Sequence, residues 1–123
     1  MDFVTSIHCM DGRIQEPLIN YIKRKYEVRY VDTITEPGPC NILSQNSDNL
    51  LLESIDNRLF ISLNKHGSKI IFISGHYDCV GNPVPEDTQI EQLNKSEKIL
   101  KLKYPKIKVK KIWINENWEV KEF

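Results

Sequence analysis

Lys69-Ile70-Ile71-Phe72-Ile73-Ser74, followed by Gly75-His76, is the stretch on which the reading of this chain turns. Its four consecutive large apolar residues, Ile70 to Ile73, show no polar alternation. A strand with one wet face alternates, whereas a strand covered on both faces runs apolar throughout, as central strands of parallel sheets do. A doubly buried strand is therefore predicted here, ending at Gly75. Just upstream, Leu52, Ile55, Leu59 and Leu63 recur at steps of three, four and four between Asp48 and His66. Ser47 or Asp48 can cap the start and Gly67 the end, so this segment reads as a helix feeding that strand.

Working outward, Phe3 to Cys9 is rich in β-formers and stops at the turn pair Asp11-Gly12. Arg13 to Lys25 places Ile14, Leu18, Tyr21 and Ile22 on one helical face, with Pro17 tolerable only in the first turn. Glu27 to Val31 reads as a second strand and residues 32–47, holding Glu36-Pro37-Gly38-Pro39-Cys40, as a long loop. Beyond Gly81 to Pro85, Thr88 and Glu91 have capping-box spacing for a third helix carrying Ile90, Leu93, Leu100 and Tyr104 up to Pro105. Ile107, Val109, Ile112 and Ile114 form a further strand with an irregularity expected at Lys110-Lys111, and Asn115-Glu116-Asn117 turns the chain into Trp118 to Phe123. The fold class predicted is α/β: one domain over residues 1–123, with a mainly parallel sheet flanked by helices and an antiparallel C-terminal edge strand.

Composition narrows the functions available. With 17 basic and 17 acidic side chains in 123 residues, no excess charge argues for nucleic acid or an anionic membrane as partner. The longest apolar run is far short of the roughly 20 residues of a membrane span, and Met1-Asp2-Phe3 does not open a signal peptide, so a cytoplasmic location is expected. The lysines at 101, 103, 106, 108, 110 and 111 read as the solvent side of an edge strand, where lysine discourages edge-to-edge pairing. Three cysteines in such a chain argue against a disulfide scaffold and leave metal ligation, catalysis or burial.

Two clusters carry chemistry: Cys9-Met10-Asp11-Gly12-Arg13 after the first strand, and Gly75-His76-Tyr77-Asp78-Cys79 after the central one. In an open parallel sheet both strand ends lie on one edge, where ligand sites form. Cys9, His76 and Cys79 together offer two sulfurs and one nitrogen, a set suited to zinc that leaves one of four tetrahedral positions open. Such a site is formally neutral when both thiols are ionised. Asp11 is close enough to occupy the fourth position itself or to accept a hydrogen bond from a zinc-bound hydroxide, and Arg13 can hold that carboxylate in a bidentate pair off the metal.

The pattern Cys9-x-Asp11-x-Arg13 followed by His76-x-x-Cys79 resembles the β-class carbonic anhydrases. The helix and strand leading to His76 and the terminal hairpin are similar as well. Cys9 to Gln15 together with Ile34-Thr35-Glu36-Pro37-Gly38-Pro39 looks like a short prokaryotic carbonic-anhydrase-like branch. The resemblance implies a zinc lyase interconverting carbon dioxide and bicarbonate, with zinc on Cys9, His76 and Cys79 and with Asp11 and Arg13 orienting the hydroxide. It also implies a homodimer, through an altered surface, because the family carries N-terminal helices where this chain enters its first strand at residue 3. Two further departures are Glu36-Pro37-Gly38-Pro39 in place of an Arg-Asn-rich segment, and Val80 where glycine often follows the second cysteine.

Blander readings stand for the remaining candidates. Cys40 is read as structural or simply exposed, His8 and His66 as structural, Asp78 as a solvated or capping turn residue, and Tyr104, Trp113 and Trp118 as core or interface. Two other functions share the motif: hydrolysis of carbonyl sulfide or carbon disulfide by the same attack, and a non-catalytic zinc adaptor or sensor with Asp11 permanently ligated. Arg13 favours the enzyme, since a closed structural site has no need of it.

Overall fold

In the computed structural model, which describes residues 1–123, the run around Phe72 forms β3 (Ile70–His76), buried at every position. Its parallel neighbours are β1 (Phe3–Cys9) on one side and β4 (Lys108–Ile114) on the other. β2 (Tyr30–Glu36) pairs parallel with the outer side of β1, and β5 (Val120–Glu122) pairs antiparallel with β4. The order is β2-β1-β3-β4-β5. The expected α/β class, parallel sheet and terminal hairpin are all present.

Alternation sorts the core into two layers. Ile7, Ile71, Ile73 and Val109 face α2 (Pro39–Gln45), α3 (Asn49–Phe60) and α4 (Glu86–Lys103), meeting Leu43, Leu59, Leu93 and Leu100. Val4, Phe72, Ile112 and Ile114 face α1 (Gly12–Tyr26) and its stripe Ile14, Leu18 and Ile22. The crossover through α1 and the one through α4 thus run on opposite faces. Strands β1 and β3, from which they leave, are adjacent, and between their C-terminal ends the layers part into the crevice where open α/β sheets place ligands.

Several expectations are corrected. The second strand lies at Tyr30–Glu36 rather than 27–31, since Glu27 takes a left-handed cap (φ 51) that closes α1. The long loop is half strand and half helix: Pro39 starts α2 at the position where its missing N–H costs nothing, after Gly38 in the left-handed region (φ 63). Pro17 sits in the second turn of α1, removing one ladder bond without ending the helix. α4 begins at Glu86 with Pro85 as its cap residue, so Thr88 caps nothing and the acidic Glu86 and Asp87 meet the positive helix end. β4 carries no bulge, its register with β3 running unbroken from Lys108 to Ile114. Val109 and Ile112 differ in parity because both faces of β4 are covered. The edge strand is β5, which covers β4 only from Ile112 to Ile114, so the lysine-bearing half of β4 remains an open edge. α3 ends in a π turn, Ile61–Lys65, before Gly67 (φ 74) releases the chain, and Asp48 caps its start through Leu51 N–H. No helix is long and apolar enough to cross a membrane.

The C-terminal strand is fastened by one carboxylate. Glu122 accepts from Tyr21 Oη (2.8 Å), Tyr26 Oη (2.7 Å) and Lys25 Nζ (2.5 Å). Burial alone would raise its pKa, but the bonds from Lys25, Tyr26 and Tyr21 outweigh it and the net shift is downward. A depressed carboxyl pKa means stability present above the unfolded value and lost as pH falls through the folded one. Glu122→Gln is accordingly expected to cost about 1 kcal/mol at neutral pH, a fall of about 3 °C in melting temperature, and much less in acid where the folded-state carboxyl is protonated. Thermal melts of both proteins at neutral and acid pH check this.

Candidate metal centre

β1 delivers Cys9 at its last residue and β3 delivers His76 at its last, on adjacent strands. Cys79 follows in the turn after β3. Their ligand atoms, two Sγ and an imidazole nitrogen, all lie within 4.8 Å of one another, and all three residues are buried. The sulfurs are 3.8 Å apart and the cysteines are free thiols. Two sulfurs bound at about 2.3 Å to one tetrahedral ion stand about 3.8 Å apart, so the spacing suits a shared metal.

The histidine is set for the same task. His76 Nδ1 lies 2.7 Å from the Tyr77 carbonyl, an acceptor only, so Nδ1 carries a proton and, in the neutral ring, Nε2 presents a lone pair. His76 Nε2 is buried without a hydrogen-bond partner, as are Ser74 Oγ and Trp113 Nε1 elsewhere. An orphaned imidazole nitrogen facing two thiols is the donor a metal ion would satisfy. Gln89, on α4, pins the ligand's main chain from behind, its Nε2 donating to His76 O (2.9 Å) and its Oε1 accepting from His76 N–H (3.2 Å). Gly75 is needed for this approach, since a Cβ there would stand 2.7 Å from Gln89 Oε1.

Gln15 performs the equivalent service for Cys9. Its Nε2 donates to the carbonyls of Cys9 (2.9 Å) and Asp11 (2.7 Å), while its Oε1 lies 2.8 Å from His8 Nε2. His8 Nδ1 in turn meets Ser6 Oγ (2.8 Å). His8 therefore braces the site from the α1 face without reaching it, and burial pushes its pKa down. His66 bonds Asp32 (2.7 Å) and stacks on Phe3, far along the sheet from Cys9, so both histidines are structural as read from the sequence.

The contact between the two sulfurs splits their proton affinities in opposite directions. The hydrogen bond from Cys79 drives the Cys9 pKa down against the opposing effect of burial, and the backbone N–H groups of Gly38 and Asp11 add to it. Cys79 is driven up by the same bond and by burial. Gly38 reaches Cys9 because the Pro37-Gly38 turn lies directly on Gly81-Asn82, where a Cβ on Gly38 would stand 2.5 Å from the Asn82 Cβ. The stretch expected to be a long loop thus helps build the site. Cys40, on α2, is 3% exposed and its thiol is pushed up to about 11 chiefly by burial. It is structural, not exposed.

Asp11 lies outside the ligand set, its carboxylate taken up by Arg13. Its Oδ1 accepts from Arg13 N (2.9 Å) and Nε (3.1 Å), and its Oδ2 from Arg13 Nη2 (2.7 Å). The guanidinium bonds hold its pKa down at about 2, so it is an ionised acceptor across the neutral range. Of the two alternatives the residues left open, the arrangement shows the carboxylate on Arg13. Sequence reasoning passed over Gln15, Gln89 and Gly38, whose roles are backbone contacts with no sequence signature, and set Asp78 aside. An open cleft of about 560 Å³ lined by Asp78, Cys79, Val80, Pro83 and Val84 reaches one of the three ligand residues, Cys79. Val80 is exposed there, so the departure from glycine is accommodated.

A parallel sheet of this strand order, with a Cys-His-Cys set at its switch point and a carboxylate held on arginine beside it, is compatible with a carbonic-anhydrase-like fold. The chain belongs to the family described as "Putative carbonic anhydrase", whose sequence model matches residues 1–123. No curated protein matches it.

Proposed function

We propose that this protein is a zinc enzyme interconverting carbon dioxide and bicarbonate, with the metal on Cys9, His76 and Cys79. The observation that carries the reading is a three-donor set with a buried, unpartnered His76 Nε2 and a neighbouring carboxylate that is tied elsewhere. Zinc in such a set supplies the Lewis acidity that makes water a nucleophile near neutral pH. Asp11, ionised and held by Arg13 through two bonds to Oδ1 and one to Oδ2, keeps one lone-pair site on Oδ2 with which to accept a proton-bearing donor and fix the direction of its attacking oxygen. Arg13 keeps Asp11 from filling the fourth position. Gln15 and Gln89 hold the main chain of two ligands and so limit drift of the donor atoms.

Metal analysis and stopped-flow hydration of carbon dioxide between about pH 6.5 and 9 test the proposal. Zinc at one per chain and rapid hydration are expected. Asp11→Asn should retain zinc and lose roughly a hundredfold in hydration, the scale of a lost orienting contact. Zinc without hydration would favour the adaptor or sensor. Hydrolysis of carbonyl sulfide in place of hydration would move the substrate and keep the site.

A further inference from the structure

Arg13 is held from three sides, more than pairing with Asp11 requires. Besides its bonds to Asp11, its Nη1 donates to Asp78 Oδ2 (3.2 Å) and its Nη2 to the Asp78 carbonyl (3.1 Å). The guanidinium carbon lies 4.7 Å from the centroid of the Trp118 ring. Both anchoring residues have left-handed backbones, Asp78 at φ 58 and Trp118 at φ 59. Aspartate adopts that region readily, but for a bulky residue it is an outlier that persists only where the surroundings impose it.

Topology brings the two together. Tyr77 N–H donates to Ile114 O (2.9 Å), carrying the β3–β4 ladder one step past the strands. The turn bearing Asp78 and the turn 115–118 therefore leave the sheet side by side. Asn115 closes the second turn: its carbonyl accepts from Trp118 N–H (2.9 Å), and its Oδ1 accepts from the N–H groups of Asn117 and Glu119 (3.0 Å each). The ring is thereby presented to Arg13 while packing on the α1-side core.

We propose that Asp78 and Trp118 are positioning residues that lock Arg13, so that Asp11 stays paired with it and the fourth position at the metal ligands stays open. This rests on the metal reading above. A guanidinium bound to Asp11 alone could swing with it as a unit. One that also rests on an indole and a second carboxylate cannot.

The test has a metal-free arm and a cobalt arm. In metal-free full-length protein the Arg13 Nε–H resonance should be displaced by the indole ring and slow to exchange. Trp118→Ala should abolish the displacement and speed exchange roughly threefold, with Trp118→Phe keeping most of the protection. Asp78→Asn, which tolerates the left-handed turn, should add to the effect, giving roughly tenfold in the double variant. An Arg13 signal indifferent to these changes overturns the clamp. In cobalt(II)-loaded protein, the visible spectrum of Trp118→Ala/Asp78→Asn should gain the signature of an added oxygen ligand, and adding Asp11→Asn should remove it. Cobalt spectra identical to the parent's would overturn the positioning role even if the clamp exists. A parent chain that takes up no cobalt would overturn the metal reading, and with it the purpose assigned to the clamp, whereas Arg13 dynamics would still report whether Asp78 and Trp118 hold it.

Discussion

Cys79→Ser is expected to abolish stoichiometric zinc binding and to reduce carbon dioxide hydration at least about a thousandfold, to near the uncatalysed rate. A serine hydroxyl is not ionised at neutral pH and is a poor match for zinc, so the site would retain only Cys9 Sγ and His76 Nε2. The fold should persist, because Cys79 lies in a turn bordered by the exposed Val80 rather than inside a strand. Two measurements separate loss of site from loss of structure. Metal content per chain should fall to background, and the parent but not the variant should melt higher as zinc is added, by about 2.7 kcal/mol at a hundred times the dissociation constant. A variant that binds zinc as tightly as the parent would show that the donors lie elsewhere.

Phe72→Ala is expected to have the largest effect on stability, about 3–5 kcal/mol, against a total of about 5–15 kcal/mol for a typical protein. Phe72 is fully buried at the middle of β3, between Ser6 of β1 and Lys110 of β4 in register, and its ring meets Tyr26 edge-on at 4.9 Å. Flanked by strands and covered by α1, the site cannot collapse around the missing ring, so the cavity term adds to the lost transfer energy. Melting should fall by about 15 °C, followed by circular dichroism. Leu102→Ala, at a position 84% exposed, should change stability by no more than about 0.5 kcal/mol. A Phe72 variant as stable as the Leu102 variant would contradict the packing described here. Because the same strand ends in His76, the Phe72 variant also tests whether the ligand set needs a rigid β3.

Legibility in the sequence followed burial. β1 and β3 lie under helices on both faces, so they carry runs of apolar or β-branched residues, Phe3 to Thr5 and Ile70 to Ile73, and their positions were readable to within about a residue. β2 was misplaced because it is an edge strand in which only Ile34 is buried. Its Asp32 is satisfied by Ser62 Oγ and His66 Nδ1, and Glu36 pairs with Arg58, partners that no local pattern announces. α2 was missed for a similar reason, as Pro-Gly-Pro resembles a loop until the second proline is recognised at a helix start.

Local chemistry, written into the order of residues, determined which side chains can bind a metal, that two strands would carry them, and that a parallel sheet would set both strand ends on one edge. Only the tertiary structure decided the rest. Whether sulfurs 70 positions apart stand at a metal's spacing, whether Asp11 faces the ion or Arg13, and that the last hairpin supplies a ring beneath that arginine all depend on contacts between distant segments. Spacing along the chain reports strongly on neighbours within a helix turn or a strand, but the final ångströms between segments are set by how two core layers pack against the sheet.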